Sequence, residues 1–117
     1  QYAIAPVLAD KSHLPALRTK ISRRRDLTGE RLNAIPGISC GAPKGAFYAF
    51  PSLAVEPERE EDFVKDMIRE TGVVVVHGGG VGQKPGTAHF RVVFLPQEDV
   101  LSRAYDRIAE FCAARLG

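Results

Sequence analysis

The chain has 117 residues, of which 44% are apolar and 26% are charged, and its net charge is +2. This composition is typical of one globular domain and excludes a disordered or fibrous chain, while the net charge is too small to imply a polyanionic partner, so no nucleic acid is expected. No apolar run approaches the ~18 residues of a membrane-spanning helix, and no signal-peptide pattern is present, so we expect no membrane contact.

The first predicted element is a long helix over residues 12–35. Apolar side chains recur in it at three-, four- and seven-residue spacings, which is the pattern of an amphipathic helix. Ser12 is predicted to cap this helix and Pro15 fits its first turn, whereas Pro36 ends it. The predicted buried stripe consists of Leu14, Leu17, Ile21, Thr28, Leu32 and Ile35.

Two short strands and a second helix are predicted next. Residues 38–40 form the first strand, and residues 46–50, which are rich in aromatic side chains, form the second. Residues 52–57 are predicted as a loop. Residues 58–71 are predicted as a helix, because apolar side chains recur at helical spacing and acids crowd the first turns, where the helix dipole favours them. Gly72 is the expected C-terminal cap.

Two further strands and a helix complete the chain. The four valines at 73–76 predict a short, fully buried strand, and the residues 77–86 that follow form a glycine-rich loop. Residues 88–95 are the strongest strand of the chain, and Pro96 opens a final helix that runs to about Leu116. The predicted buried stripe of that helix consists of Val100, Leu101, Ala104, Ile108, Phe111 and Cys112.

This order of elements predicts an α+β fold of one domain. A small mixed sheet of about three to four strands is expected to be covered by the long N-terminal helix, the middle helix and the C-terminal helix.

Arg91 is the charged residue of the strongest strand. Because side chains alternate along a strand, Phe90, Val92 and Phe94 share one face, and His89, Arg91, Val93 and Leu95 share the other. A buried arginine needs a carboxylate or a phosphate, which its planar fork binds with two hydrogen bonds. The residues leave three interpretations open: an arginine that reaches water, a structural ion pair, or a ligand site.

The loop glycines Gly78, Gly79, Gly80 and Gly82 allow backbone amides to approach a ligand closely. The loop is neither a phosphate-binding P-loop nor a dinucleotide fingerprint, because a strand rather than a helix follows it. A ligand-lining loop and a mobile connection both fit the pattern.

Other reactive side chains carry no recognisable motif. Cys40 and Cys112 have no metal-ligand or disulfide spacing, which predicts two reduced structural thiols in a cytoplasmic protein. The three histidines also lack metal-ligand spacing, so no metal site is predicted. The run at 23–25 consists of three arginines and is interpreted as a solvated helix face or as a surface for anions.

Three stretches together resemble the C-terminal part of class I/II aminotransferases, which are fold-type I pyridoxal-phosphate enzymes. They are RLNAIPGISCGAPKGAFYAFP at 31–51, TGVVVVHGGGVG at 71–82 and HFRVVFLPQEDVLSRAYDRIAEF at 89–111. The amino-acid sequence of the third stretch is most similar to the prokaryotic alanine and aspartate aminotransferase-like branch. The resemblance implies that residues 1–117 are the small C-terminal domain of such an enzyme.

The resemblance also implies roles for a few residues. Arg91 matches the arginine that binds the substrate α-carboxylate, and Phe47 matches a strand that lines the substrate cleft. Gly78, Gly80 and Gly82 match the turn that shapes the same wall. His77 and Val81 depart from the usual proline and phenylalanine of that turn.

The family's chemistry also implies groups that we do not find in this sequence. Its cofactor, pyridoxal phosphate, is attached to a lysine in an SK-type motif, and none of the lysines here has that context. The sequence starts at Gln1 without a methionine, which suggests a fragment. We therefore expect a parent enzyme, plausibly a homodimer, that acts on an amino acid and a 2-oxo acid. The fragment itself is expected to be inactive, with no catalytic or cofactor-binding residue of its own.

Two other function classes fit the residues alone. One is a stand-alone small-molecule-binding or regulatory α+β module, and the other is an interaction domain that uses the basic helix face. If the enzyme interpretation holds, the long helix docks on a missing large domain, and an exposed apolar patch is expected on the chain by itself.

Overall fold

The structure, a computed structural model, describes residues 2–116. Within that range the chain forms four α-helices, five short strands and two 3₁₀ turns. The helices are α1 (Ile4–Ala9), α2 (Leu14–Asn33), α3 (Glu60–Thr71) and α4 (Glu98–Leu116). The strands are β1 (Ile38–Ser39), β2 (Tyr48–Ala49), β3 (Ser52–Leu53), β4 (Val76–His77) and β5 (Phe90–Val93).

The α+β fold class is confirmed, but the prediction of one mixed sheet was wrong: the strands form two antiparallel pieces. A three-stranded sheet has the order β2-β5-β4, and β1 pairs with β3 in a two-stranded ribbon. A single bridge between Ser52 and His89 joins the ribbon to the start of β5. The strand that carries Arg91 is therefore the central strand of its sheet.

The core lies between the inner face of this sheet and helices α2, α3 and α4, with α4 packed on the other two. Leu32, Met67 and Ile108 are fully buried there, one from each helix. A hydrogen bond of 2.7 Å joins the hydroxyls of Thr28 and Tyr105 inside the core. Burial of Tyr105 raises the pKa of its phenol, so this hydroxyl stays protonated.

The start of the long helix differs from the prediction. The helix begins at Leu14, and Ser12 does not cap it; instead the Ser12 amide donates to Asp10 Oδ1 at 2.9 Å. Ser12 lies two positions before the first helical residue, too far back to serve as the capping residue. At the other end, the Asn33 side chain bonds both backbone groups of Cys40 at 2.8 Å and fixes the turn into the next segment.

Only the second half of the predicted α2 stripe is buried. Thr28, Leu32 and Ile35 lie in the core, whereas Leu14 and Leu17 are exposed, because the first turns of α2 extend beyond the other helices. Together with α1, these turns lengthen the domain to 51 × 29 × 24 Å. Exposed apolar side chains are frequent in this part of the chain, and they are Tyr2, Ile4, Val7, Leu8, Leu14 and Leu17.

Two further predictions about burial were wrong. Of the four valines, only Val76 belongs to a strand, and Val74 is 83% exposed, because β4 is an edge strand whose outer face no described residue covers. In α4, Val100 is exposed, while Tyr105 takes a place in the buried stripe.

Residues 52–57 were predicted as a loop, but Ser52–Leu53 forms β3. No helix among residues 2–116 combines the length and apolar character needed to cross a bilayer.

Candidate functional site

The candidate site lies on the outer face of the three-stranded sheet. The predicted alternation along β5 is confirmed: Phe90, Val92 and Phe94 are buried in the core, and Arg91 and Val93 point the other way. Strand register places Val76 opposite Arg91 and Tyr48 opposite Val93, so these side chains share the outer face.

Arg91 is half-buried and has an incomplete set of partners. The guanidinium carbon lies 4.7 Å from the centre of the Tyr48 ring, in a cation–π contact. The Nε atom is buried without a hydrogen-bond partner. Within residues 2–116 Arg91 takes part in no ion pair, although Arg23, Arg31 and Arg115 do. The structural ion pair considered from the sequence is therefore not formed among the described residues.

Two aromatic side chains, Tyr48 and Phe50, lie on this face of the sheet. Tyr48 is 39% exposed and Phe50 is 38% exposed, and the Phe50 ring stacks on His89 at 4.7 Å with an angle of 1° between the planes. An arginine in such a setting is poorly hydrated, which strengthens its attraction for a carboxylate or phosphate that comes within reach. The geometry suits one planar anion that the guanidinium fork grips.

The glycine-rich loop packs closely beside β5. Gly78 to Gly80 form a 3₁₀ turn, and a side chain at Gly78 would collide with Gln83 and His89. Gly82 has φ +79°, a left-handed conformation that favours glycine. A side chain at Gly80 would lie 3.0 Å from the His77 ring. The three glycines singled out in the sequence thus occupy tight or left-handed positions.

A buried carboxylate anchors this loop. Glu60, at the start of α3, is 3% exposed and accepts hydrogen bonds from the amides of Gly79 and His89, both at 2.8 Å. It also accepts one from Gln83 Nε2 at 2.5 Å, and His77 Nδ1 lies 3.6 Å away. Burial alone would raise the pKa of Glu60, but these hydrogen bonds favour the ionised form more strongly and lower it.

Phe47 precedes β2, and its ring centre lies 4.7 Å from that of Tyr48; no contact between Phe47 and Arg91 is observed among the described residues. The Phe47 ring packs against the core, and its backbone oxygen accepts a hydrogen bond of 3.0 Å from Phe94. Tyr48, the next residue, is the one beneath the guanidinium. Sequence reasoning missed Tyr48 because the register of β2 was unknown, and it missed Glu60 because that acid is one of four around the start of a helix.

The three arginines of the basic run are already engaged. Arg23 pairs with Glu98 at 3.2 Å, and Arg25 pairs with Asp26 at 3.0 Å. Arg24 donates to the backbone oxygen of Leu95 at 2.5 Å. These contacts favour the solvated helix face over an anion-binding surface.

The described residues offer no attachment point for pyridoxal phosphate. A lysine that binds an aldehyde covalently is usually desolvated, with a lowered pKa. All five lysines here are exposed, and the hydrogen bond that Lys65 donates to Glu61 at 2.7 Å raises its pKa. Residues 2–116 also contain no cluster of His, Cys, Asp and Glu that could hold a metal ion. The two cysteines are buried and free.

Comparisons with known proteins point to one family. A family model described as aminotransferase class I and II matches residues 1–108. Alanine aminotransferase 1, mitochondrial, of Arabidopsis thaliana is 38% identical over 104 residues, which cover 80% of this chain and 19% of that protein. The probable aspartate/prephenate aminotransferase of Rhizobium leguminosarum bv. phaseoli is 34% identical over 122 residues, which cover 96% of this chain and 30% of that protein.

A solved structure is similar to the whole arrangement of helices and strands. Alanine aminotransferase from Pyrococcus furiosus superposes with a TM-score of 0.82 at 43% identity, over 89% of this chain and 26% of that one. This chain therefore spans only 19% to 30% of the length of these three relatives.

Proposed function

The chain belongs to the aminotransferase class I and II family, and from this we propose that it is the C-terminal small domain of a longer pyridoxal-phosphate aminotransferase. In that enzyme Arg91 binds the α-carboxylate of the substrate. The enzyme moves an amino group between an amino acid and a 2-oxo acid. Several of the relatives are named alanine aminotransferases, which makes L-alanine the first substrate to assay.

The observation that carries this proposal is the missing hydrogen-bond partner of Arg91. Its Nε atom is buried without a partner, and no acid among residues 2–116 pairs with it. A buried polar group without a hydrogen bond costs free energy, so such a residue is retained where a ligand completes it. A carboxylate bound edge-on to the guanidinium supplies the missing acceptor and a charge of opposite sign.

The apolar side chains around Arg91 affect how strongly this face of the sheet holds a substrate carboxylate. Val76 and Val93 lie on the same face as Arg91, and the Tyr48 ring lies beneath the guanidinium, so a substrate carboxylate bound there is partly shielded from water and makes a stronger ion pair than it would in bulk water. The domain thereby holds and orients one end of the substrate while the reacting end is presented elsewhere.

The cofactor belongs to the longer protein in this proposal. Pyridoxal phosphate supplies the electron sink for transamination when it is bound. Because the lysines of this chain are exposed and none is suited to attachment, we assign no chemical step to its residues. The chain by itself is therefore expected to be inactive and to show no cofactor absorbance. A homodimeric parent and a cytoplasmic location complete the proposal.

The test is the replacement of Arg91 by lysine and by alanine in the full-length enzyme. Loss of a desolvated charge pair costs about 2–5 kcal/mol, which lowers kcat/KM for L-alanine by about 30- to 4,000-fold. Arg115→Ala, which removes an arginine paired with Asp66 and Glu70 on the protein surface, is the matched control. Unchanged kinetics in both Arg91 variants would refute the carboxylate role. Binding of pyruvate by the isolated chain with no effect in the enzyme would favour the stand-alone module instead.

A further inference from the structure

Glu60 has a place in this site that goes beyond anchoring a loop. We propose that Glu60 is a positioning residue for Arg91, because its carboxylate ties together the glycine-rich loop and the start of β5 and so fixes the guanidinium on the outer face. This inference rests on the proposed role of Arg91 as the carboxylate-binding residue.

The first step is the pattern of hydrogen bonds at the two carboxylate oxygens. Oε1 accepts from the Gly79 amide at 2.8 Å, and Oε2 accepts from the His89 amide at 2.8 Å and from Gln83 Nε2 at 2.5 Å. Gly79 lies near the beginning of the loop and His89 lies at its end. One side chain from α3 therefore holds both ends of the loop and its middle.

The second step leads from Glu60 to the face that carries Arg91. Gln83 uses its amide nitrogen for Glu60 and its Oε1 for His89 Nδ1, at 3.0 Å. His89 stacks on Phe50, and both residues share the outer face with Arg91 by strand alternation. Phe50 is two residues from Tyr48, on whose ring the guanidinium rests. Contacts thus run from Glu60 through Gln83 and His89 to Phe50, and the short backbone segment of β2 connects Phe50 to Tyr48, the ring beneath Arg91.

The third step concerns the backbone of β5. The His89 amide bonds only to Glu60 among the described residues, while the neighbouring Phe90 amide bonds to the Pro51 oxygen at 3.1 Å. His89 is two residues before Arg91, so the bond from Glu60 fixes the point at which the strand enters the sheet. A carboxylate fits this position because each of the three groups hydrogen-bonded to its oxygens is a donor. A glutamine would turn its own NH₂ toward one of those donors.

The experiment compares Glu60→Gln with Glu61→Gln in the full-length enzyme. Glu61 lies in the same helical turn and loses the same charge, but it is exposed and pairs with Lys65 rather than with the loop. For Glu60→Gln we expect KM for L-alanine to rise by about 10- to 100-fold, the range seen when a group that orients a binding residue is lost. We expect kcat to change much less and Glu61→Gln to behave like the wild type.

Hydrogen exchange on the chain provides a readout that does not depend on activity. The Gly79 and His89 amides are expected to exchange about tenfold faster in Glu60→Gln, the effect of one lost hydrogen bond, and to be unchanged in Glu61→Gln. The Arg91 Nε–H resonance is expected to shift in the first variant alone. If Glu60→Gln fails to fold, Gln83→Met removes only the link between Glu60 and His89, and a smaller rise in KM is expected.

The outcomes separate this inference from the function on which it rests. If Arg91→Lys raises KM while Glu60→Gln lowers Tm without changing KM or the Arg91 resonance, Glu60 is only a stabilising residue and the inference is wrong. If Arg91→Lys leaves the kinetics unchanged, the proposed function itself fails. A rise in KM in both variants, with Glu61→Gln unaffected, supports the two together.

Discussion

Replacing Arg91 by methionine is expected to stabilise the isolated chain. The buried Nε has no hydrogen-bond partner, whereas the guanidinium carbon lies over the Tyr48 ring. Methionine extends only as far as the position of Nε, has no donor to leave unsatisfied, and carries a thioether that is favourable beside an aromatic ring. The substitution therefore removes the unsatisfied donor but also gives up the contact between the guanidinium and the ring.

The magnitude follows from two opposing contributions. An unsatisfied buried donor costs about 1–3 kcal/mol, and the cation–π contact that would be lost is worth about 0.5–1 kcal/mol. The difference between the central values is a gain of about 1 kcal/mol in the free energy of unfolding, which corresponds to a rise in Tm of about 3–6 °C for a domain of this size.

Thermal and urea unfolding of the chain measure this gain, and Arg115→Met is the matched control. The Arg115 guanidinium lies 5.0 Å from the centre of the Phe111 ring, a contact similar to that of Arg91, but it is also paired with Asp66 and Glu70. We expect Arg115→Met to leave stability unchanged or to lower it by up to about 1 kcal/mol. If Arg91→Met lowers stability as much as the control does, the Arg91 Nε is not an unsatisfied donor in solution and the expected gain is refuted.

Three further predictions concern the loop, the acid limit of stability and the thiols. Gly78→Ala is expected to destabilise the chain by about 1–3 kcal/mol in urea, because the new Cβ would lie 2.9 Å from that of His89, whereas at Gly41 a Cβ meets nothing within 4 Å and alanine should be tolerated. The lowered pKa of Glu60 means that its stabilisation is complete above the ordinary glutamate pKa and is lost as pH falls through the lower, folded value. Unfolding free energies should then fall with acid less steeply in Glu60→Gln than in the wild type, and equal slopes would contradict this. Burial raises the pKa of Cys112 to about 11, so a thiol reagent at neutral pH should label it only after unfolding, and rapid labelling of the native chain would show that α4 opens.

Much of the fold could be predicted from local sequence signals. The apolar periods of residues 58–71 and 96–116 led to α3 and α4, and Gly72 ends α3 in the left-handed conformation expected of a C-terminal cap. Alternation along β5 placed Arg91 on the face opposite Phe90. These features depend on neighbours a few residues apart, which is the range over which periodicity carries information.

The remaining features depend on contacts between distant parts of the chain. The ribbon of β1 and β3 has strands of two residues, and its pairing is set by register rather than by any local preference. The four valines at 73–76 predict a buried strand, and only the order of strands in the folded sheet shows that they lie at its edge. Tyr48 and Glu60 acquire their roles only when β2, α3 and β5 come together, so no single stretch of sequence could reveal them.

Glu60 and Arg91, two charged side chains near the same loop, differ in whether their polar atoms have hydrogen-bond partners within the chain. Glu60 is almost fully buried, yet donors from Gly79, Gln83 and His89 satisfy its oxygens within the chain. Arg91 is less buried, and its Nε has no such partner. A fully paired charge fixes the fold, whereas an incompletely paired one leaves free energy that only a ligand can recover. Arg91→Met removes this unsatisfied donor from the isolated chain, and in the proposed function a substrate carboxylate would accept a hydrogen bond from the same donor. The variant should therefore be more stable by itself and should bind substrate less well in the enzyme.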